Sequence, residues 1–293
     1  MQVYITAIEE GFLYGLLALG IYISLRILDI PDLTTEGSFG FGSAVAAIVA
    51  SKGLSVTSFI AAFAAGVLAG IVTGLLQTKL KVHPVLAGII TMSGLYSINL
   101  MVRGSSNLNF NDNSAFTRFY KAVGISGADK KIAGLVIGAV ICRTHLGLCI
   151  RATGDNPDMV RASSINVDFS LIFGLALANG LIALSGALIS HYLGLSDQSF
   201  SNGTLIYGLA AVIIGEAIFG KRNVALGLTS AVVGSVIYKI IVAFVIDVSL
   251  FGKNSENLMK LTCAIIVAAT LIVPEIKHKI ENAKAKKEAR KNA

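Results

Sequence analysis

Apolar residues in this chain neither alternate with polar ones nor keep to one helical stripe; they run on, broken at intervals by short polar stretches. The runs cover 8–28, 38–50, 58–76, 84–102, 132–142, 169–193, 204–219, 224–246 and 258–273. An α-helix needs about 20 such residues to cross a hydrocarbon core, and most of the runs reach or approach that length. Clearly short are 38–50, 132–142 and 204–219. Lipid offers no partner to an exposed peptide group, so continuous apolar runs of this kind predict helices. The expected fold is an all-α polytopic membrane protein with about nine membrane segments.

Two of the short runs share a lead-in. Pro31 stops the first run, and Asp32, Thr34, Thr35 and Glu36 precede a glycine-rich stretch, 37–42, with Ser38 inside it. Asp197, Ser199, Ser201, Asn202 and Gly203 precede the run at 204–219 in the same way. Small residues let neighbouring backbones approach, and a helix that starts partway into the membrane turns its free N–H groups to a cavity. Paired short segments of opposite sense predict an inverted repeat of half-helices around a path. Two unrelated polar turns before short helices are the plainer alternative.

The longest polar interruption that carries local helix signals is 147–168, reading GLCIRATGDNPDMVRASSINVD. Asn156 is a good N-cap, with Asp155 or Thr153 as substitutes; Pro157 fits the first helical position, and Asp158 favours a helix start. Gly154 precedes this turn, Met159, Val160 and Ala162 give it a small apolar side, and Arg151 and Arg161 flank it. Such a segment suits the groove of a partner protein, and an ordinary cytoplasmic loop anchored by arginines fits it equally well.

Inside the runs, polar residues point to helix pairing or a path. The run 84–102 carries Thr91, Ser93, Tyr96, Ser97 and Asn99, and 169–193 carries Asn179 near its middle and His191 at its end. His191 is expected at the membrane interface, and Glu216 is expected to pair with Lys221 or Arg222. Lys239 lies within 224–246, where an unpaired ammonium costs roughly 2.5–3.5 kcal/mol, so it must snorkel outward or find a carboxylate. The stretch 103–131 is read as an external loop with Asn107, Asn109, Asn111 and Asn113.

Composition reinforces the membrane reading: 54% of the 293 residues are hydrophobic and 14% charged, with a mean hydropathy of +0.75, outside the range of soluble domains. Charge adds orientation, because loops on the cytoplasmic side are enriched in Lys and Arg. Placing 147–168 inside also places Arg26, Lys79, Lys81, Arg143, Lys221, Arg222 and the basic residues from Lys277 to Lys291 inside, 15 of 24 positives in all. The N-terminus then lies outside with Glu9 and Glu10, and 8–28, lacking a positive start, is not a cleaved signal peptide. The chain divides into a membrane domain, 1–274, and a basic cytoplasmic tail, 275–293. Much of the net charge of +7 lies in that tail, so the surface of the lipid membrane, not nucleic acid, is its expected contact. Cys142, Cys149 and Cys263 show no C-x-x-C spacing and are read as packing residues. With no H-E-x-x-H, no metal site is expected. GEAIFGKR departs from a phosphate loop, since Arg222 replaces the hydroxyl and a helix end replaces strand, loop and helix.

Taken together, PDLTTEGSF after the first run and RATGDNPDMVRASSIN in 147–168 resemble the permeases of bacterial ABC importers. The likeness is to the superfamily holding the branched-chain amino acid and ribose-type permeases, and within it to the small permeases of tryptophan/tyrosine-type uptake systems. The resemblance implies a homodimeric path in the bacterial cytoplasmic (inner) membrane, beneath an extracellular substrate-binding lipoprotein. It implies no cofactor or catalysis in this chain, ATP being bound and hydrolysed by separate ABC ATPase subunits. Carried over, Arg151, Thr153, Gly154, Asp155, Asn156, Pro157, Asp158, Met159 and Arg161 form the ATPase-docking surface. Asp32, Glu36, Ser38, Asn99, Asn179, Asp197, Asn202 and Lys239 are the candidate path residues, Lys239 falling where the family usually has an arginine. The chain departs from the family's R-A-L-G-I-N at Ser163 and Ser164, and the run 132–142 is short for it. The reading is a permease subunit for an amino acid or similar small solute. The rival, an ion-coupled secondary transporter or channel, needs no docking segment and would carry solute in liposomes without an ATPase.

Overall fold

The computed structural model describes residues 2–54, 57–110, 152–154, 159–160, 166–220 and 224–247. Helix α1, Gln2–Tyr22, continues as a π-helical turn, Ile23–Ile27; then come α2, Thr35–Ser51, α3, Thr57–Thr78, and α4, Pro84–Arg103. Strand β1, Asn107–Asn109, precedes the long helix α5, Val167–Leu193. Strand β2, Leu195–Asp197, and a 3₁₀ turn, Gln198–Ser201, lead into α6, Thr204–Phe219, and α7, Val224–Asp247.

Among the described residues, 6 helical stretches are long and apolar enough to cross a membrane. They correspond to the runs at 8–28, 58–76, 84–102, 169–193, 204–219 and 224–246. The run 38–50 forms α2, 17 residues long and starting at Thr35. The runs 132–142 and 258–273 lie outside the described residues, as do the three cysteines and the tail.

Local chemistry sets the boundaries. Pro84 occupies the first turn of α4, where its missing N–H costs nothing. Gly104 ends that helix at φ 74°. Asn166 caps α5, its side chain accepting from the Phe169 N–H at 3.1 Å, and Gly194 closes it at φ 70°. Helices α3 and α4 follow each other through a short turn and touch.

Helix α5 is the centre of the bundle, packed lengthwise on α3, α2 and α1, while α1 and α6 pack on α7. Leu17, Ile21, Phe39, Leu175, Ile182, Val212 and Leu228 are fully buried at these contacts. A methyl group at Gly42 would overlap the Ala183 carbonyl, and one at Gly186 the Phe39 carbonyl. The glycine-rich start of α2 thus lets two backbones touch, as small residues do between membrane helices. Outward, α3 and α4 present Ile60, Leu68, Val72, Leu86, Ile90 and Met101, an apolar surface suited to lipid.

Two expectations are revised, and one contact is added. His191 is 1% exposed, a core residue: its Nε2 lies 2.8 Å from Ser58 Oγ, and its ring packs on Phe59 and Phe110. Glu216 pairs with Arg26 of the first span, at 2.6 Å; Lys221 and Arg222, its expected partners, lie outside the described residues. The loop after α4 is not wholly irregular, since Asn107 pairs with Asp197 in a two-stranded antiparallel ribbon. Asn109 pairs with Leu195 in the same ribbon; Asn111 and Asn113 lie outside the described residues.

Candidate functional site

The stretch from Leu28 to Ser38 gathers most of the buried polar chemistry. After the π-helical turn, the Leu28 and Ile30 N–H groups still bond back to Ile23 and Ser24. Asp29 then adopts φ 55°, a left-handed conformation that Asp tolerates better than most residues. This reversal, followed by Pro31, ends the first span and drops Asp32 into the core, 3% exposed. Asp32 Oδ1 accepts the Thr34 N–H at 2.9 Å, and its backbone carbonyl accepts from the Thr35 hydroxyl at 3.0 Å.

Asn179 joins that carboxyl group to α2. Its Nδ2 donates to Asp32 Oδ2 at 2.7 Å and to Leu175 O at 3.0 Å, while its Oδ1 accepts from Ser38 Oγ at 2.6 Å. Both side-chain polar atoms of Asn179 are thereby used, and the residue is fully buried. Beside this knot the Thr34 and Thr73 hydroxyls meet at 2.9 Å, tying in α3. Asp32, Ser38 and Asn179, singled out separately in the sequence, form one network between α2 and α5.

Glu36 reaches the other short helix. Its Oε1 accepts the Gly203 N–H at 2.8 Å, and Gly203 is the N-cap residue of α6. A carboxylate in the first turn of α2 therefore stands at the N-terminus of α6, where free N–H groups and the helix dipole favour negative charge. Farther along α2, Ser43 and Ser196 meet at 2.7 Å. The two lead-ins that the sequence paired do touch, but their aspartates differ. Asp197 Oδ1 accepts the Ser199 N–H at 2.6 Å, capping its own turn, and Asn202 is solvent-exposed.

On α4, Thr91 and Asn99 turn into the bundle, and Ser93, Tyr96 and Ser97 face out from the chain. Asn99 Nδ2 donates to Gly37 O at 3.4 Å. One turn on, Arg103 is 4% exposed, with Nη1 donating to Ser106 O at 2.9 Å and to Gln198 Oε1 at 3.3 Å. Lys239 finds a carboxylate, Glu10 of α1, at 2.8 Å, and its ammonium lies 4.3 Å from the centre of the Tyr14 ring. Tyr14 in turn packs on Phe39 and Tyr207. Sequence reasoning missed Arg103, Gln198 and the Glu10 partner. Arg103 had a visible signal, a positive charge closing an apolar run, whereas Glu10 was assigned to the outer surface.

Of the polar stretch 147–168, Thr153 and Val160 are buried and Met159 is 69% exposed. A methyl group at Gly154 would overlap the Ile27 carbonyl and lie 3.0 Å from Leu28 Cα. This segment rests on the backbone that leads into Asp32. Arg151, Asp155, Asn156, Pro157, Asp158 and Arg161 lie outside the described residues.

Membrane-length helices around a buried polar network, with two short helices meeting at their N-termini, define an integral membrane protein of the solute-permease class. A family model described as "Branched-chain amino acid transport system / permease component" matches residues 4–272, so the chain belongs to that family of transport permeases. It is 33% identical over 284 residues to the tyrosine transport system permease protein of Clostridioides difficile (strain R20291), covering 96% of this chain and 95% of that one. It is also 30% identical over 227 residues to an uncharacterized protein of Rickettsia prowazekii (strain Madrid E), covering 75% of this chain and 79% of that one. No solved structure matches this chain.

Proposed function

We propose that the chain is the membrane subunit of an ATP-driven importer, that separate ATPase subunits dock on 151–161, and that the cargo is an amino acid, an aromatic one by analogy with the tyrosine-system relative. The observation that carries this reading is the seat of Gly154 on Ile27 and Leu28. A segment with docking chemistry touches the backbone four residues before Asp32, so a push on it bears on the start of α2. Exposed Met159 is available to a partner's apolar pocket, while Thr153 and Val160 anchor the segment from beneath.

A second copy of the chain completes the path. Ser93, Tyr96 and Ser97 are exposed on α4, within a helix long enough to span the membrane. Lipid leaves such hydroxyls without partners, whereas a facing protomer or a water-lined path satisfies them. An extracellular binding protein delivers solute to the dimer, the N-terminus lies outside, and the tail lies in the cytoplasm. The test is reconstitution in liposomes with the candidate ATPase and binding protein, following radiolabelled L-tyrosine with and without ATP. ATP-dependent accumulation that is lost on reversing charge at Arg151 and Arg161, with ATPase pulldown reduced, is the expected result. Accumulation by this chain alone refutes the reading in favour of a self-sufficient carrier.

A further inference from the structure

Two buried polar side chains at the end of α4 keep unused hydrogen-bonding capacity. Arg103 spends Nη1 on Ser106 O and Gln198 Oε1, but its Nε and Nη2 make no hydrogen bond. Those two atoms form one edge of the guanidinium fork, the edge that fits both oxygens of a carboxylate in parallel. Asn99, one helical turn earlier, donates through Nδ2 and leaves Oδ1 without a partner. Residues four apart lie on the same helix face, about 5–6 Å between Cβ atoms, so the two side chains leave one face of α4.

The surroundings are polar and closely built. A methyl group at Gly40 would come within 2.9 Å of Asn99 Nδ2 and 3.3 Å of Ser201 Oγ, which places α2 and the 3₁₀ turn beside Asn99. Gln198, 9% exposed, ties Arg103 to that turn. Among the described residues no carboxylate forms an ion pair with Arg103, although the charge of Asp197 acts on it: the ion pairs are Arg26 with Glu216, Lys79 with Asp168, and Lys239 with Glu10. Asp197, in the ribbon next to it, turns an oxygen to the Ser199 N–H instead. At 4% and 0% exposure, Arg103 and Asn99 are out of reach of a docking protein surface.

Resting on the amino acid cargo argued above, we propose that Arg103 and Asn99 form a station for the zwitterionic head of the solute. The carboxylate lies on the Nε/Nη2 edge of Arg103 and the ammonium on Asn99 Oδ1, both groups common to all α-amino acids. By the loop charges this station lies towards the outer end of the path, and Gln198 belongs to the turn that leads into α6. The station therefore reads the head group, leaving the side chain to be selected elsewhere.

Purified full-length permease in nanodiscs, without ATPase or binding protein, is titrated with tritiated L-tyrosine by scintillation proximity. Competition by tyramine, which lacks the carboxylate, and by 3-(4-hydroxyphenyl)propionate, which lacks the ammonium, is expected to be about tenfold or more weaker than by unlabelled L-tyrosine, while another L-amino acid competes within about threefold. Arg103→Lys, which keeps the charge but loses the fork, is expected to weaken L-tyrosine by about tenfold and to erase the discrimination against tyramine. Equal competition by tyramine on the wild-type protein, which needs no variant to fold, overturns the proposal. So does absence of saturable binding up to millimolar L-tyrosine. If the reconstituted system accumulates L-tyrosine with ATP and Arg103→Lys leaves both uptake and discrimination unchanged, this station is wrong while the importer reading stands. If the wild-type system accumulates no α-amino acid, the importer reading falls and takes this one with it.

Discussion

Replacing Asn179 by leucine tests whether the polar knot holds α2 to α5. Leucine has the same branched outline with bulkier methyl groups, so the substitution opens no cavity and acts chiefly through the lost hydrogen bonds. Three interactions disappear: the 3.0 Å donation to Leu175 O within α5, and two that bridge to α2 and its lead-in, the 2.7 Å donation to Asp32 Oδ2 and the 2.6 Å acceptance from Ser38 Oγ. A hydrogen bond to a charged group contributes about 1.5–3 kcal/mol, and an interhelical bond between neutral groups in a membrane protein averages about 0.6 and reaches about 1.7 kcal/mol. Asn179→Leu should therefore destabilise the bundle by about 2–4 kcal/mol, and Ser38→Ala by only about 0.6–1.7 kcal/mol. Because both act on one network, the double variant should lose no more than about 0.5 kcal/mol beyond Asn179→Leu alone. Steric-trap unfolding in bicelles measures all three, and ATP-driven uptake should fall with Asn179→Leu. Strictly additive losses, or an Asn179→Leu variant as stable and active as the wild type, would refute the argument that one amide organises this junction.

Three further perturbations read other contacts. Gly154→Val puts a branched side chain into the Ile27 carbonyl, so uptake and ATPase pulldown should drop while membrane insertion, followed by surface labelling, stays normal; normal pulldown removes the segment as a docking site. Glu36→Ala deprives the Gly203 N–H of its acceptor, a loss of about 1 kcal/mol by comparison with other N-caps. Hydrogen exchange in a peptide spanning 198–206 should then speed up by about fivefold, with Glu36→Gln changing less. Arg26 is 35% exposed at its side chain and Glu216 9%, so solvent screening limits the pair to about 0.2–1 kcal/mol. Arg26→Glu, which sets two carboxylates against each other, should be worse than Arg26→Ala, and the swap with Glu216→Arg should restore uptake; equal activity of all variants dismisses the pair.

Much of this architecture is legible from residue pattern because lipid removes alternatives. A run such as 204–219 has one stable backbone form available, and its boundaries emerge as α6, Thr204–Phe219, since Gly203 and Gly220 flank it. Pro31, Pro84 and Asn166 work through local sterics and capping, which the neighbouring residues suffice to specify. Partnerships are different. Asp32 and Asn179 are 147 positions apart, and Arg26 and Glu216 are 190 apart, so nothing local distinguishes a buried knot from residues lining a path. The contact of Glu216 with Arg26 could not be read along the chain, where only the nearest opposite charges suggest partners. His191 misled for a similar reason: helix ends are read as interfacial, but Ser58, Phe59 and Phe110 come from segments whose convergence is a tertiary fact. The ribbon between 107–109 and 195–197 was hidden because three-residue strands carry too few positions to show a period.

If ATPase subunits push on 151–161 as proposed, the position of Asn179 bears on how that push would reach the start of α2. Two routes run from the 152–166 region, and both end at Asp32. One is direct: Gly154 lies against Ile27 and Leu28, four residues before Asp32, at a chain reversal set by Asp29 and Pro31. The other runs through α5, which Asn166 caps. Twelve residues of that helix beyond Val167 carry the motion about 18 Å to Asn179, whose amide grips Asp32 and Ser38 together. Glycine contacts between α5 and α2 leave no space for the helices to slide, because a shift of one residue brings a side chain where Gly42 or Gly186 now admits a carbonyl. A displacement of α5 must then carry the start of α2 with it, and Glu36 with its hold on α6. Contact alone does not establish coupling, which needs an element with two discrete arrangements that both sites bias. The lead-in 28–36 is the candidate, and a cysteine pair at Thr34 and Thr73, whose hydroxyls meet at 2.9 Å, decides it. Oxidation to a disulfide should arrest uptake while solute binding and ATPase docking persist; uptake that continues at the wild-type rate with the bridge closed would mean that the motion takes another course.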